Sequence, residues 1–88
     1  MINEINILAS FDNLSGTFRI TDTYVSFIPY EKAGEWEMSV DEIMNTTAND
    51  IVKSFNTELC TNLEYKDLSH VMPMVFSIIH SLLSHGMK

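Results

Sequence analysis

An α+β domain is predicted by this chain: a four-stranded antiparallel β-meander followed by two main α-helices packed on one sheet face. Three observations predict it. Apolar and polar residues alternate through the first forty positions, the period turns helical after Val40, and clusters of turn-forming residues break the alternation at short intervals. Strands first and helices after is the order of an α+β domain, not of a parallel α/β one. With 88 residues and no internal repeat or low-complexity tract, one domain is expected over 1–88, with the meander in 1–40 and the helical part in 41–88.

The strands follow from period two. Ile5, Ile7, Ala9 and Phe11 share one face of the first, and Phe18 and Ile20 share one in Thr17–Thr21. Val25 and Phe27 do so in Tyr24–Tyr30, and Trp36, Met38 and Val40 in Glu35–Val40. The breaks carry turn chemistry: Asp12-Asn13-Leu14-Ser15-Gly16, Thr21-Asp22-Thr23 and Glu31-Lys32-Ala33-Gly34.

The helices follow from caps and period. Ser39-Val40-Asp41-Glu42 and Thr47-Ala48-Asn49-Asp50 each set an acid three places after a hydroxyl, the pattern of a helix N-terminus. Met44, Ala48, Ile51, Val52, Phe55, Leu59 and Leu63 fall within an arc of about a third of the circumference. Asn45-Thr46-Thr47 is weak helix material, so a short helix before it and a longer one over Ala48–Thr61 are expected. Residues 62–67 read as a link. A last helix over Val71–His85 would carry Pro73 in its first turn and stop at Gly86.

That last helix is apolar over more than half its circumference, through Met72, Met74, Val75, Phe76, Ile78, Ile79, Leu82 and Leu83. Ser77, His80, Ser81 and Ser84 form the remaining seam. Such a surface predicts one of two arrangements: a wedge between sheet and middle helix, or a homodimer through Met72, Val75, Phe76, Ile79 and Leu83.

Composition removes several function classes. The net charge is −7, and the five bases, Arg19, Lys32, Lys53, Lys66 and Lys88, make no patch. Neutralising several phosphates at once is out of reach, so neither nucleic acid nor an anionic membrane surface is an expected partner. Cys60, alone, makes no internal disulfide. The start Met1-Ile2-Asn3-Glu4 has no basic, apolar leader pattern, and Val71–Leu83 is too short and polar to span a bilayer, so a cytoplasmic protein is expected. Abundant Asn and Ile beside a single Arg is the usage of an AT-rich genome, which suggests a bacterial or phage source.

Catalytic constellations are thin. His80 and His85 are spaced i, i+5, about 140° apart around a helix and about 7.5 Å along it. Metal sites on one helix use i, i+4, so no metal and no cofactor is expected. Cys60 falls just outside the apolar arc of the middle helix and reads as a small, semi-buried hydrophobe. Glu35 and Glu37 point away from the face that buries Trp36, whereas a general acid needs a desolvated carboxyl. Gly16, Gly34 and Gly86 are isolated, so no phosphate loop exists. The chain is not expected to be an enzyme.

The outer sheet face remains. Tyr24, Ile28 and Tyr30 project opposite the buried set, beside Glu31, Glu35, Glu37, Asp41 and Glu42, with only Lys32 among these acids. Tyrosines anchor protein contacts and clustered carboxylates steer basic partners. These eight residues are the expected partner-binding set. The stretch from Ser15-Gly16-Thr17-Phe18 to Ser26-Phe27-Ile28-Pro29 is similar to the opening hairpin of PH and GRAM-type lipid- or protein-binding domains. Those domains add further strands before one terminal helix, whereas this chain turns helical after Val40 and has no basic pocket. The resemblance ends with that hairpin.

Two functions are compatible with these features. One is a small acidic protein-binding protein, an inhibitor, immunity protein or phage-type modulator that occupies a basic site on a host or toxin protein. The other is a dimeric, ligand-responsive regulatory domain that uses the seam of Ser77, His80, Ser81 and Ser84.

Overall fold

In the computed structural model, which describes residues 4–11 and 14–86, every strand pairs antiparallel with its neighbour in sequence. The strands are β1 (Glu4–Phe11), β2 (Leu14–Thr21), β3 (Tyr24–Pro29) and β4 (Trp36–Ser39), in the order β1-β2-β3-β4. After them come α1 (Val40–Met44), α2 (Ala48–Leu59), α3 (Tyr65–Leu68) and α4 (Met72–Gly86). The α+β meander read from the alternation is therefore the observed architecture.

The register turns the alternation into a core. Ile7, Phe18, Phe27 and Trp36 form one row across all four strands, and Ile5, Ile20, Val25 and Met38 form the next. Onto this face α4 packs over β2 and α2 over β4, while α1 closes against β3 and β4. The helices therefore lie on one side of the sheet, with α4 towards the β1 side and α2 towards the β4 side. Phe55 of α2 sits at the joint. Its ring centroid lies 6.1 Å from Phe11, 6.3 Å from Phe18, 5.2 Å from Phe27 and 5.4 Å from Trp36, one aromatic from each strand. The indole N–H of Trp36 donates to Ser54 Oγ at 3.1 Å, so the buried ring leaves no polar group unpaired.

The caps form as their spacing implies. Ser39 Oγ accepts from Glu42 N at 3.1 Å and Thr47 Oγ1 from Asp50 N at 3.2 Å. Because Ser39 caps α1, Val40 is helical rather than the last residue of β4, and it remains buried. The break at 45–47 also separates α1 from α2. Met44 therefore does not share the α2 arc and is exposed, as is Ala48, whereas Ile43 is buried.

Other boundaries shift for identifiable reasons. Of the expected turn at 12–16, Asp12 and Asn13 lie outside the described residues, and Leu14, Ser15 and Gly16 belong to β2, paired with Phe11, Ser10 and Ala9. Tyr30 and Glu35 fall just outside β3 and β4. The helix α2 stops at Leu59, two residues before the expected Thr61. Asn56 draws the chain round: its carbonyl accepts from Thr61 N at 3.1 Å, its Oδ1 from Leu63 N at 2.9 Å, and its Nδ2 donates to Leu63 O at 2.8 Å. The turn puts Cys60 in the left-handed region, φ 55°. Part of the expected link at 62–67 becomes α3, where Glu64 N donates to the Asp67 carboxylate at 2.9 Å. No helix among the described residues is long and apolar enough to cross a membrane.

Gly16 marks a close approach within the sheet. A Cβ there would lie 2.5 Å from the Ile28 carbonyl oxygen and 2.6 Å from Phe27 Cζ. Since one obstacle is backbone, Gly16→Ala should destabilise by about 1–3 kcal/mol, read as a lower midpoint of thermal unfolding. Cys60 invites the opposite change. A non-glycine residue in the left-handed region costs about 1–2 kcal/mol, of which the greater flexibility of unfolded glycine takes back about 0.5–1. Cys60→Gly should therefore raise the midpoint by about 2–8 °C, and Cys60→Val should lower it.

Candidate functional site

With every helix on one side, the other side of the sheet is open, and the register dictates what it displays. Asn6, Arg19, Ser26 and Glu37 form one outward row across four strands, and Leu8, Thr17 and Ile28 form the next. Tyr24 stands opposite Ser39. Leu8 is 78% exposed and Tyr30 59%, values far above those of an ordinary packed apolar residue.

Hydrogen bonds hold these side chains in place. The Tyr30 hydroxyl lies 2.7 Å from Thr17 Oγ1, which draws its ring back over β2 although Tyr30 is beyond the end of β3. Ser26 is completely buried beneath its neighbours, and its hydroxyl donates to Glu37 Oε1 at 3.3 Å. Arg19 Nε stands 3.6 Å from Glu4 Oε2, an ion pair with both side chains partly exposed and of small energetic weight. That Nε is buried and makes no hydrogen bond.

Of the eight residues expected to bind a partner, Tyr24, Ile28, Tyr30 and Glu37 meet on this face or at its margin. Glu35 lies immediately before β4, and Asp41 and Glu42 occupy the first turn of α1 immediately after it; all three are exposed. Glu37 is thus the acid on the open face itself, with Glu35 at one end of β4 and Asp41 and Glu42 on α1 beyond the other, while Ile28 and Tyr30 belong to the β3 side and Leu8 to the far edge strand β1. Glu31 is set apart from them. It lines a cleft of about 410 Å³ with Leu14, Lys32, Cys60, Asn62 and Leu63, between the β3–β4 loop and the end of α2. Sequence reasoning missed Leu8, Thr17 and Arg19. Leu8 was detectable in principle, because it is the one apolar residue among the outward set Glu4, Asn6, Leu8 and Ser10.

The other expected features are placed differently. Met72, Val75 and Ile79 are buried within the chain, so they pack the core rather than standing free for a second copy. Phe76 and Leu83 are half-buried. Phe76 lines an apolar cleft of about 280 Å³ with Met72 and Pro73 from α4, Ala48, Ile51 and Val52 from α2, and Tyr65 and Leu68 from α3. That flank of α4 therefore faces α2. Ser77, His80, Ser81 and Ser84 are all exposed on the side of α4 away from the core, and a convex helix surface encloses no ligand. Among the described residues no group of three His, Cys, Asp or Glu side chains is placed to hold a metal ion.

Cys60 is exposed rather than semi-buried, because it caps the C-terminus of α2. The ammonium of Lys32 reaches the same helix end and donates to the carbonyls of Leu59 at 2.5 Å and Cys60 at 3.5 Å. A cation on the last carbonyls of a helix satisfies groups that the helix leaves unpaired. No family model, curated protein or solved structure matches this chain.

Proposed function

We propose that this is a small acidic protein-binding protein that acts without catalysis, as an inhibitor, immunity protein or phage-type modulator of a host or toxin protein. The observation that supports this reading is the uncovered sheet face, where half-buried Ile28 on β3 and exposed Tyr30 just after it lie next to β4, which carries Glu37 with Glu35 immediately before it, and where exposed Leu8 stands two strands away on β1. An apolar centre beside a charged rim is how protein interfaces divide affinity from steering. Carboxylates at the rim accelerate encounter with a basic surface and reject acidic ones, while the apolar centre supplies the desolvated contact. A chain of net charge −7 meets a basic partner with favourable long-range attraction throughout.

The test compares wild type, Glu35→Lys/Glu37→Lys and Glu58→Lys, each immobilised and exposed to lysate from the source cell or its host. Glu58 is an exposed residue of α2 and controls for a change of charge on the helical side. A protein with a basic surface should be retained by wild type and Glu58→Lys, lost from the double variant at an unchanged unfolding midpoint, and released by added salt. The same capture by all three, or none by any, overturns the proposal.

A further inference from the structure

The loop between β3 and β4 carries two opposite charges side by side in sequence, and the fold keeps them apart. Glu31 and Lys32 both line the cleft of about 410 Å³ at the C-terminal end of α2, yet no ion pair joins them. Lys32 is committed elsewhere. Its ammonium is held by the carbonyls of Leu59 and Cys60, at the negative end of the helix dipole. Gly34, at φ 104°, turns the loop back over that helix end, where a Cβ would stand 3.9 Å from the Glu58 carbonyl oxygen. A lysine ammonium has three N–H donors, and these two carbonyls take two of them. The third is left for a ligand, in a cleft whose other charged wall is the exposed Glu31.

We infer that this cleft binds a free α-amino acid as its zwitterion. The ligand's carboxylate accepts from the remaining N–H of Lys32, and its ammonium donates to the Glu31 carboxylate. Leu14 and Leu63 supply an apolar wall for an aliphatic side chain, and Asn62 adds an exposed amide. Charge selects a zwitterion over simpler ions. A plain anion is attracted by Lys32 but repelled by Glu31 and by the net charge of −7. A plain amine is attracted by Glu31 but repelled at short range by Lys32. A ligand with both charges gains from both side chains and is neutral towards the rest of the chain. Size agrees with this class. The cleft volume matches the share of roughly fourteen waters in the liquid, enough for an amino acid of leucine's size with some bound water. Lys32 is fixed before the ligand arrives, so little ordering opposes binding. This inference uses none of the residues of the open sheet face and does not rest on the proposed protein contact; either can fail alone.

L-leucine tests it, against isocaproate, which lacks the ammonium, and isopentylamine, which lacks the carboxylate. Cys60 is the reporter, because it is the single cysteine of the chain, exposed, and part of the cleft lining. Millimolar L-leucine should slow its alkylation by iodoacetamide and raise the unfolding midpoint, and neither analogue should do so at the same concentration. Glu31→Gln changes an exposed side chain and should leave the midpoint of the free protein where it was. It should weaken L-leucine by about tenfold to a hundredfold, the loss of one charge-assisted bond. No protection of Cys60 by L-leucine overturns the inference. Equal protection by either analogue also overturns it and makes the cleft a plain anion or cation site, as does protection that Glu31→Gln leaves intact.

Discussion

Phe55 is the residue on which the rest of this structure depends. It is contributed by α2, yet its ring touches Phe11, Phe18, Phe27 and Trp36, so a single helical side chain contacts every strand of the sheet. Aromatic pairs at these separations add to the stabilisation from burial alone. In a chain of this size, where one core has little stability to spare, concentrating five rings at one joint makes sheet order and helix docking a single event. The Trp36–Ser54 hydrogen bond lies beside the same joint and fixes the rotation of α2 over β4.

The same economy leaves the opposite side of the sheet uncovered. All the buried helical residues join one cluster with the inward strand residues. The outward rows are therefore free to carry polar groups, and Ser26 is buried there only by its own neighbours. Gly16 allows this thin sheet to remain closely packed, because the Phe27 ring and the Ile28 carbonyl occupy the space that a Cβ would take. Where a helix would normally seal a second face, the chain offers Leu8, Ile28 and Tyr30, with Glu37 on the same face.

Much of this was legible in the sequence because it is encoded locally. Strand faces follow from period two, and both caps follow from a hydroxyl three places before an acid. What failed depended on where a helix ends. Met44 fits the α2 arc on a continuous helix, but the break at 45–47 resets the phase, so Ile43 is buried instead. Cys60 lies near the arc only if α2 continues past Leu59, and the side-chain bonds of Asn56 that stop it involve residues up to seven positions away. The apolar breadth of α4 was evident, but which flank faces α2 is a property of the assembled sheet. That is why Met72, Val75 and Ile79 looked available and are not. The margin of the candidate face was legible through Tyr24, Tyr30 and Glu37, while the register was needed to show that Leu8 shares one outward row with Thr17 and Ile28.

Lys32 ties the β3–β4 loop to the end of α2 through two carbonyls more than twenty-five residues away in sequence. Held at one end by this tether and at the other by the start of β4, the segment that carries Glu31 and Glu35 has little conformational freedom left to lose. Ordering a free loop upon association costs about 0.5–1.5 kcal/mol for each immobilised flexible side chain. Here folding has already met part of that cost, so Glu35 is presented in a preset position. Neutralising Lys32, as acetylation does, would loosen the loop without changing a single group on the exposed sheet face.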